Sequence, residues 1–196
     1  LYTEVAFYTI QIENLLVAQR IAEDRYIGIN AGETSHSGVE LTLHLRHTIS
    51  SNWLVQPYFN GSYNHYRFQN FVDDGNDYSG NEVTGPPSHK ANVGVEVSNT
   101  FGFSFRLNAL HVGEIPLNDG NTVFAEPYTL INFQAAYSFN PGGKFQISIR
   151  GGINNLIDQN YAASVLPNAV GFGGSAPRYF YPGNPRNGYI GVFLSL

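Results

Sequence analysis

Few residues of this 196-residue chain have the types and spacing for metal, phosphate or nucleophilic chemistry, and each grouping fails on detail. Asp73-Asp-Gly-Asn-Asp77 crowds oxygen ligands together, but its Gly comes too early and no bidentate Glu follows where a calcium loop needs one. It reads as a solvated acidic loop. His44 and His47 fall on opposite faces of a strand and cannot chelate one ion locally; the other His are scattered, as expected of surface or lumen positions. Gly171-Phe-Gly-Gly174 lacks the Lys-Ser/Thr of a phosphate loop and opens no helix. No G-x-S-x-G elbow is present, and with no Cys there is neither a disulfide frame nor a thiolate metal site. Asn60-Gly-Ser62 is formally a glycosylation sequon but falls inside a strand. A net charge of −5 argues against a nucleic-acid partner. No resident cofactor or metal is expected.

The elements around these residues are strands. Apolar and polar residues alternate in segment after segment, as in Phe101-Gly-Phe103-Ser-Phe105-Arg-Leu107-Asn-Ala109. Side chains alternate faces along a strand, so each such segment has one apolar and one polar side. Eight segments follow the pattern: Thr3–Asn14, Gly38–His47, Trp53–Phe68, Lys90–Val97, Phe101–Ala109, Tyr128–Phe139, Lys144–Asn154 and Asn187–Leu196. In the first, Ala6, Tyr8, Ile10 and Ile12 form the apolar set. No apolar run approaches the roughly 20 residues of a membrane-spanning helix, but a barrel strand needs only about 9–11.

The connections alternate too. Thr48–Asn52, Ser98–Thr100 and Asn140–Gly143 are short; those around Leu15–Arg25, Phe71–Ser88, Val112–Pro127 and Ile157–Arg186 are long. In an up-and-down meander all long loops then emerge at one end, as in outer-membrane barrels; a sandwich, whose connections cross between sheets, has no reason to sort them. Arg46, Arg106, Arg150, Glu40 and Glu96 occupy the polar register and need water or partners. The apolar register is nearly uncharged. Trp53, Phe101, Tyr137 and Phe139 mark the turn side, and Tyr8, Tyr63 and Tyr128 the loop side, as two aromatic girdles would. The expected fold is an all-β, antiparallel, up-and-down transmembrane β-barrel with about eight strands visible. A soluble β-sandwich or lipocalin-like barrel is the alternative.

Three stretches carry a family resemblance: Asn30-Ala-Gly-Glu-Thr-Ser-His-Ser-Gly38-Val-Glu40, Gly152-Ile-Asn-Asn-Leu-Ile-Asp158-Gln-Asn-Tyr161, and Pro182-Gly-Asn-Pro-Arg186 leading into the final strand. In this order they resemble the C-terminal part of the barrel of TonB-dependent outer-membrane receptors. Gly85-Pro-Pro-Ser-His-Lys90 and Gly113-Glu-Ile-Pro-Leu-Asn-Asp119 look like the siderophore-receptor members. One departure is Leu196, where the family usually ends in an aromatic residue.

The resemblance implies that residues 1–196 are the last third of a 22-stranded barrel, with the plug domain and earlier strands outside the chain. The absence of Met even at position 1 fits a processed or partial product. The implied function is TonB-dependent active uptake of a bulky, scarce ligand, most often a ferric siderophore, across the outer membrane. The implied partners are that ligand, TonB through a segment outside this chain, the receptor's own plug domain and outer-membrane lipid. Ligand contacts belong on the long loops, where Arg178 can pair with an anionic chelate and Tyr179 and Tyr181 can stack on catechol or hydroxamate groups. A small eight-stranded barrel acting as a pore or lipid-modifying enzyme is the other reading.

Overall fold

A computed structural model describes residues 1–14, 16–22, 25–30, 32–73, 75–171 and 173–195. It is an antiparallel meander: β1 (Tyr2–Glu13), β2 (Glu33–His44, resuming at His47–Ser50), β3 (Trp53–Asn70), β4 (His89–Asn99), β5 (Phe103–Val112), β6 (Tyr128–Gly142), β7 (Phe145–Asn154) and β8 (Asn187–Ser195). Each strand pairs with its chain neighbours, and β1 and β8 are the edges of an open sheet. Among the described residues there is no helix.

Short turns lie at one end of the sheet and long loops at the other, as the spacing predicts. The turns sit a few residues away from their expected places. β2 continues to Ser50, so the first turn is Ser51–Asn52. Phe101 belongs to the second turn, not to β5, because Asn99 Oδ1 accepts the Phe101 and Phe103 N–H groups, each at 3.0 Å. Gly102 (φ 95°) is required there, since a Cβ would stand 1.9 Å from the Ser138 carbonyl oxygen. In the third turn Gly143 and Lys144 form the tip, and Asn140–Gly142 remain in β6.

The long loops carry ribbons of their own. Leu16–Ala22 pairs with Arg25–Asn30, where an irregular connection is expected; residues 15, 23 and 24 lie outside the described ones. Val72–Asp73 pairs with Asn76–Asp77, Ile115–Pro116 with Phe124–Ala125, and Ala162–Val165 with Phe180–Pro182.

Register places the two faces. Val39, Leu41 and Leu43 of β2 share a face with Phe59 and Tyr63 of β3, Val93–Val97 of β4 (odd positions), Phe105 and Leu107 of β5, Phe133 of β6 and Ile149 and Ile153 of β7. This face is open, with Leu107 45% exposed. From Trp53 to Tyr63 on β3 it spans about 33 Å of strand, or roughly 25 Å of height at the usual ~40° tilt. The assignment for β1 is reversed. Pairing Tyr8 with Gly38 and Ala6 with Glu40 puts Ala6, Tyr8, Ile10 and Ile12 on the polar face, and Val5 and Phe7 (81% exposed) on the apolar one. Tyr128, paired with Val112, also faces the polar side, so of the three loop-side tyrosines only Tyr63 lies on the apolar face.

A single sheet buries little by itself. The buried side chains cluster where the loops meet the wall: Phe68, Phe71 and Val83 pack with Tyr66 and Tyr78, while Leu117, Pro116 and Thr34 are also inaccessible.

Candidate ligand-binding face

The polar face begins with tyrosines laid over glycines. Tyr8 crosses Gly38 to donate to Asn64 Oδ1 at 2.8 Å, and Tyr58 crosses Gly94 to accept from Asn108 Nδ2 at 3.2 Å. Tyr189 covers Gly152 in the same way. A Cβ on Gly94 would stand 2.4 Å from the Tyr58 hydroxyl, so these glycines let an aromatic ring lie flat along the wall. Between them runs an amide row: Asn92 accepts from Asn108, which accepts from Asn132 Nδ2 at 3.3 Å. The row borders a groove of about 520 Å³ lined also by Glu40, Thr42, Ser62 and Lys90. Nearer the turns, Glu96 holds Arg106 through Nε at 3.2 Å, and Arg150 lies over the Phe193 ring at 4.8 Å. Of the charges that the sequence places mid-strand, Arg106 and Glu96 are therefore paired and Arg150 is stacked on an aromatic ring.

Above the wall, three loops meet at Asp119, which is 8% exposed. Its carboxylate accepts from Thr84 Oγ1 at 2.5 Å and Asn168 Nδ2 at 2.9 Å, and its carbonyl accepts from Asn81 Nδ2 at 2.8 Å. Burial pushes the Asp119 carboxyl above its ordinary pKa, against the lowering effect of the Thr84 and Asn168 bonds. Asn121 joins the same loops by accepting the Glu82 N–H at 2.6 Å and donating to the Glu82 carbonyl at 3.0 Å. In the acidic loop Asp77 caps the Ser79 N–H at 2.9 Å, and the Ser79 bonds hold its carboxyl below the usual range.

Beside Asp119 opens a cleft of about 450 Å³ bordered by Asp73, Tyr78, Asn118, Asn168 and Tyr179. Tyr179 is half-buried there, its carbonyl accepting the Leu166 N–H at 2.6 Å. Arg178 and Tyr181 are exposed on the same segment but do not border the cleft. The expected trio thus divides, and Tyr78, Asn118 and Asn168 line the cleft without having been singled out in the sequence. Polar loop residues carry no spacing signal; only the folded loops bring them together. His44 and His47 do lie on opposite faces, paired with Tyr58 and Val55. His89 and His111, scattered in sequence, meet at 3.2 Å.

The second and third motif stretches form a latch. Asn155 (φ 51°, buried) accepts the Gln159 N–H at 2.8 Å and donates to the Gln159 and Asn184 carbonyls at 2.9 and 3.2 Å. Asp158 Oδ1 accepts the Arg186 N–H at 2.7 Å. Gly183 lies against the Tyr161 ring, where a Cβ would approach to 2.0 Å. Asn155, Asp158 and Tyr161 thereby hold the Gly183–Arg186 lead-in to β8. In the first motif Gly32 (φ 65°) passes the Asn70 carbonyl so closely that a Cβ would lie at 1.8 Å; Ala31 lies outside the described residues.

The sheet resembles solved receptor walls. It superposes on the siderophore receptor PiuA from Acinetobacter baumannii with a TM-score of 0.69 at 19% identity, covering 98% of this chain and 26% of that one. For the ferric preacinetobactin receptor BauA of the same organism the values are 0.67, 18%, 98% and 26%. For the ferric yersiniabactin uptake receptor FyuA from Yersinia pestis they are 0.65, 18%, 98% and 27%. The chain thus spans about a quarter of the length of the receptors it matches. The family model for the TonB-dependent receptor-like β-barrel matches residues 1–156, and the chain belongs to that family.

Proposed function

We propose that this chain is the closing portion of the barrel of an outer-membrane receptor that takes up a bulky, scarce ligand, with a ferric siderophore as the best-fitting class. The observation that carries the reading is the fastened loop cap. Loops around Thr84, Asp119 and Asn168 are tied into one unit over a wet, amide-lined wall, next to a cleft bordered by Tyr179. Membership of the TonB-dependent family and the siderophore receptors among its structural relatives support the same direction. The receptor's plug domain would meet the polar face, TonB would deliver energy through a segment outside this chain, and lipid would cover the apolar face. Tyr179 is the first-choice ligand contact in this chain, with Arg178 and Tyr181 at the exposed rim of the same segment. The ligand is carried, not transformed.

Uptake of radiolabelled ferric chelates by iron-starved cells tests this. Deleting the natural gene should abolish uptake of one catecholate, hydroxamate or mixed chelate, and dissipating the inner-membrane proton gradient should do the same. Uptake that survives de-energisation would point to a passive pore instead. Tyr179→Ala should weaken binding more than Tyr181→Ala; equal, wild-type binding by both would remove this segment from the site.

A further inference from the structure

On the apolar face the outward residues change character at one level near the loops. Going towards the loops, Ala91 on β4 gives way to His89, Ala109 on β5 to His111, Ile131 on β6 to Thr129, and Gly61 on β3 to Tyr63 and His65. This polar collar tops the apolar belt, where a barrel meets lipid headgroups and external water. His89 and His111 are diagonal neighbours across the β4–β5 pair, within reach of each other's long side chains.

The two imidazoles are aimed at each other. Their Nε2 atoms are 3.2 Å apart and their ring centroids 5.2 Å, so the Nε2 edges face one another. Each remaining ring nitrogen has a hydroxyl partner: His89 Nδ1 with Ser88 Oγ at 3.0 Å, and His111 Nδ1 with Thr129 Oγ1 at 2.9 Å. Gly113 leaves the space that the His89 ring fills; a Cβ there would stand 2.6 Å from it.

We propose that His89 and His111 form a binding site for a divalent first-row transition metal ion, such as Zn²⁺ or Cu²⁺, on the outer collar of the barrel. Two metal–nitrogen bonds of about 2.0–2.1 Å meeting near the tetrahedral angle span roughly 3.3 Å, which matches the Nε2 separation after a small tilt of the rings. Hydroxyl partners on Nδ1 are the supporting bonds that metal-bound imidazoles use, with Nδ1–H donating to oxygen. A hydroxyl can both donate and accept, so Ser88 and Thr129 also serve the metal-free pair, in which one Nε2–H donates to the other Nε2. On metal binding the imidazole that carried the Nε2 proton changes tautomer, that proton passing by way of solvent to its own Nδ1, so both rings stay neutral with both Nε2 lone pairs on the ion, and the ion sheds water. Among the described residues no group of three or more His, Cys, Asp or Glu stands ready to hold an ion, so water completes the shell. The site lies on the opposite face from the proposed transport path.

The test uses the natural gene product, purified in detergent, stripped with chelator and titrated with Cu²⁺ alone. Electron paramagnetic resonance should show a signal with nitrogen couplings from two imidazoles. His89→Ala and His111→Ala should each remove that signal and lower the Cu²⁺ stoichiometry by one. Identical spectra and stoichiometry in wild type and both variants would overturn the proposal. Thr129→Val keeps both ligands and the strand, and should weaken the site on the order of tenfold. If the alanine variants misfold, that variant decides, and an unchanged affinity would overturn the proposal.

Discussion

Replacing Asn155 by alanine should release two segments at once. Its side chain makes three hydrogen bonds, one from the Gln159 N–H and two to the Gln159 and Asn184 carbonyls. At about 1 kcal/mol net for each bond, their loss costs roughly 3 kcal/mol. Asn155 also sits at φ 51°, which Ala tolerates less well than Asn, adding about 1 kcal/mol. Water reaching the partly exposed partners returns part of this, leaving a local cost of about 3 kcal/mol. Hydrogen exchange on peptides covering 155–161 and 183–187 reads it directly. In Asn155→Ala, exchange should accelerate about 100-fold in both peptides, while the β4–β5 peptides stay unchanged. Asn155→Gly loses the same bonds but accepts the backbone angle, so it should cost about 1 kcal/mol less. Exchange within threefold of wild type in the 183–187 peptide would refute the latch, and equal costs for Ala and Gly would refute the backbone part of the argument.

The other predictions concern the wall and its cap. Leu107→Arg, in the middle of the apolar belt, should destabilise the vesicle-embedded protein by about 2–4 kcal/mol in urea unfolding, whereas Asn108→Arg on the wet face should cost far less. Gly94→Ala forces a Cβ against the Tyr58 ring and, at 2.8 Å, against the Leu107 carbonyl; it should cost about 1–3 kcal/mol, and a Tyr58→Ala background should remove the ring's share and leave the carbonyl's. Asp119 has a raised carboxyl pKa, so between its ordinary and raised values the folded loops bind more protons than the unfolded chain. Its contribution to cap stability is therefore greatest at the acid side of that window and declines as pH rises through the raised pKa. Hydrogen exchange of the Asn118–Thr122 turn should follow that trend in the wild type, and Asp119→Asn should flatten it.

Much of the wall was legible because a two-residue period is a strong signal wherever one face is apolar. β4, β5 and β7 lie close to their predicted places, and the long–short alternation of loops fixed the polarity of the meander. β1 misled because both its faces carry apolar residues. Val5 and Phe7 compete with Ala6, Tyr8 and Ile10, and only pairing with the clearly polar Glu40 and Gly38 register decides between them. Phe101 misled because the alternating beat runs into the turn, where Asn99 takes over its N–H. The motifs were legible as patterns but not as physics: nothing in the spacing shows that Asn155 and Asp158 exist to hold Asn184 and Arg186. The cap was least legible. Asp119, Thr84 and Asn168 lie in separate loops, and Tyr179 was separable from Arg178 and Tyr181 only once the loops were folded together.

The central claim is that the apolar face of this sheet meets lipid and the polar face meets the barrel interior. These 196 residues hold no Cys, so single-cysteine variants from position 103 to 109 in the natural gene product, with any cysteine elsewhere in it replaced by serine and assembled in the outer membrane, give a direct reading. With a fluorophore at each position and a quencher carried in the acyl chains, positions 103, 105, 107 and 109 should be strongly quenched, and positions 104, 106 and 108 weakly. Uniform quenching, or the opposite alternation, would contradict the account.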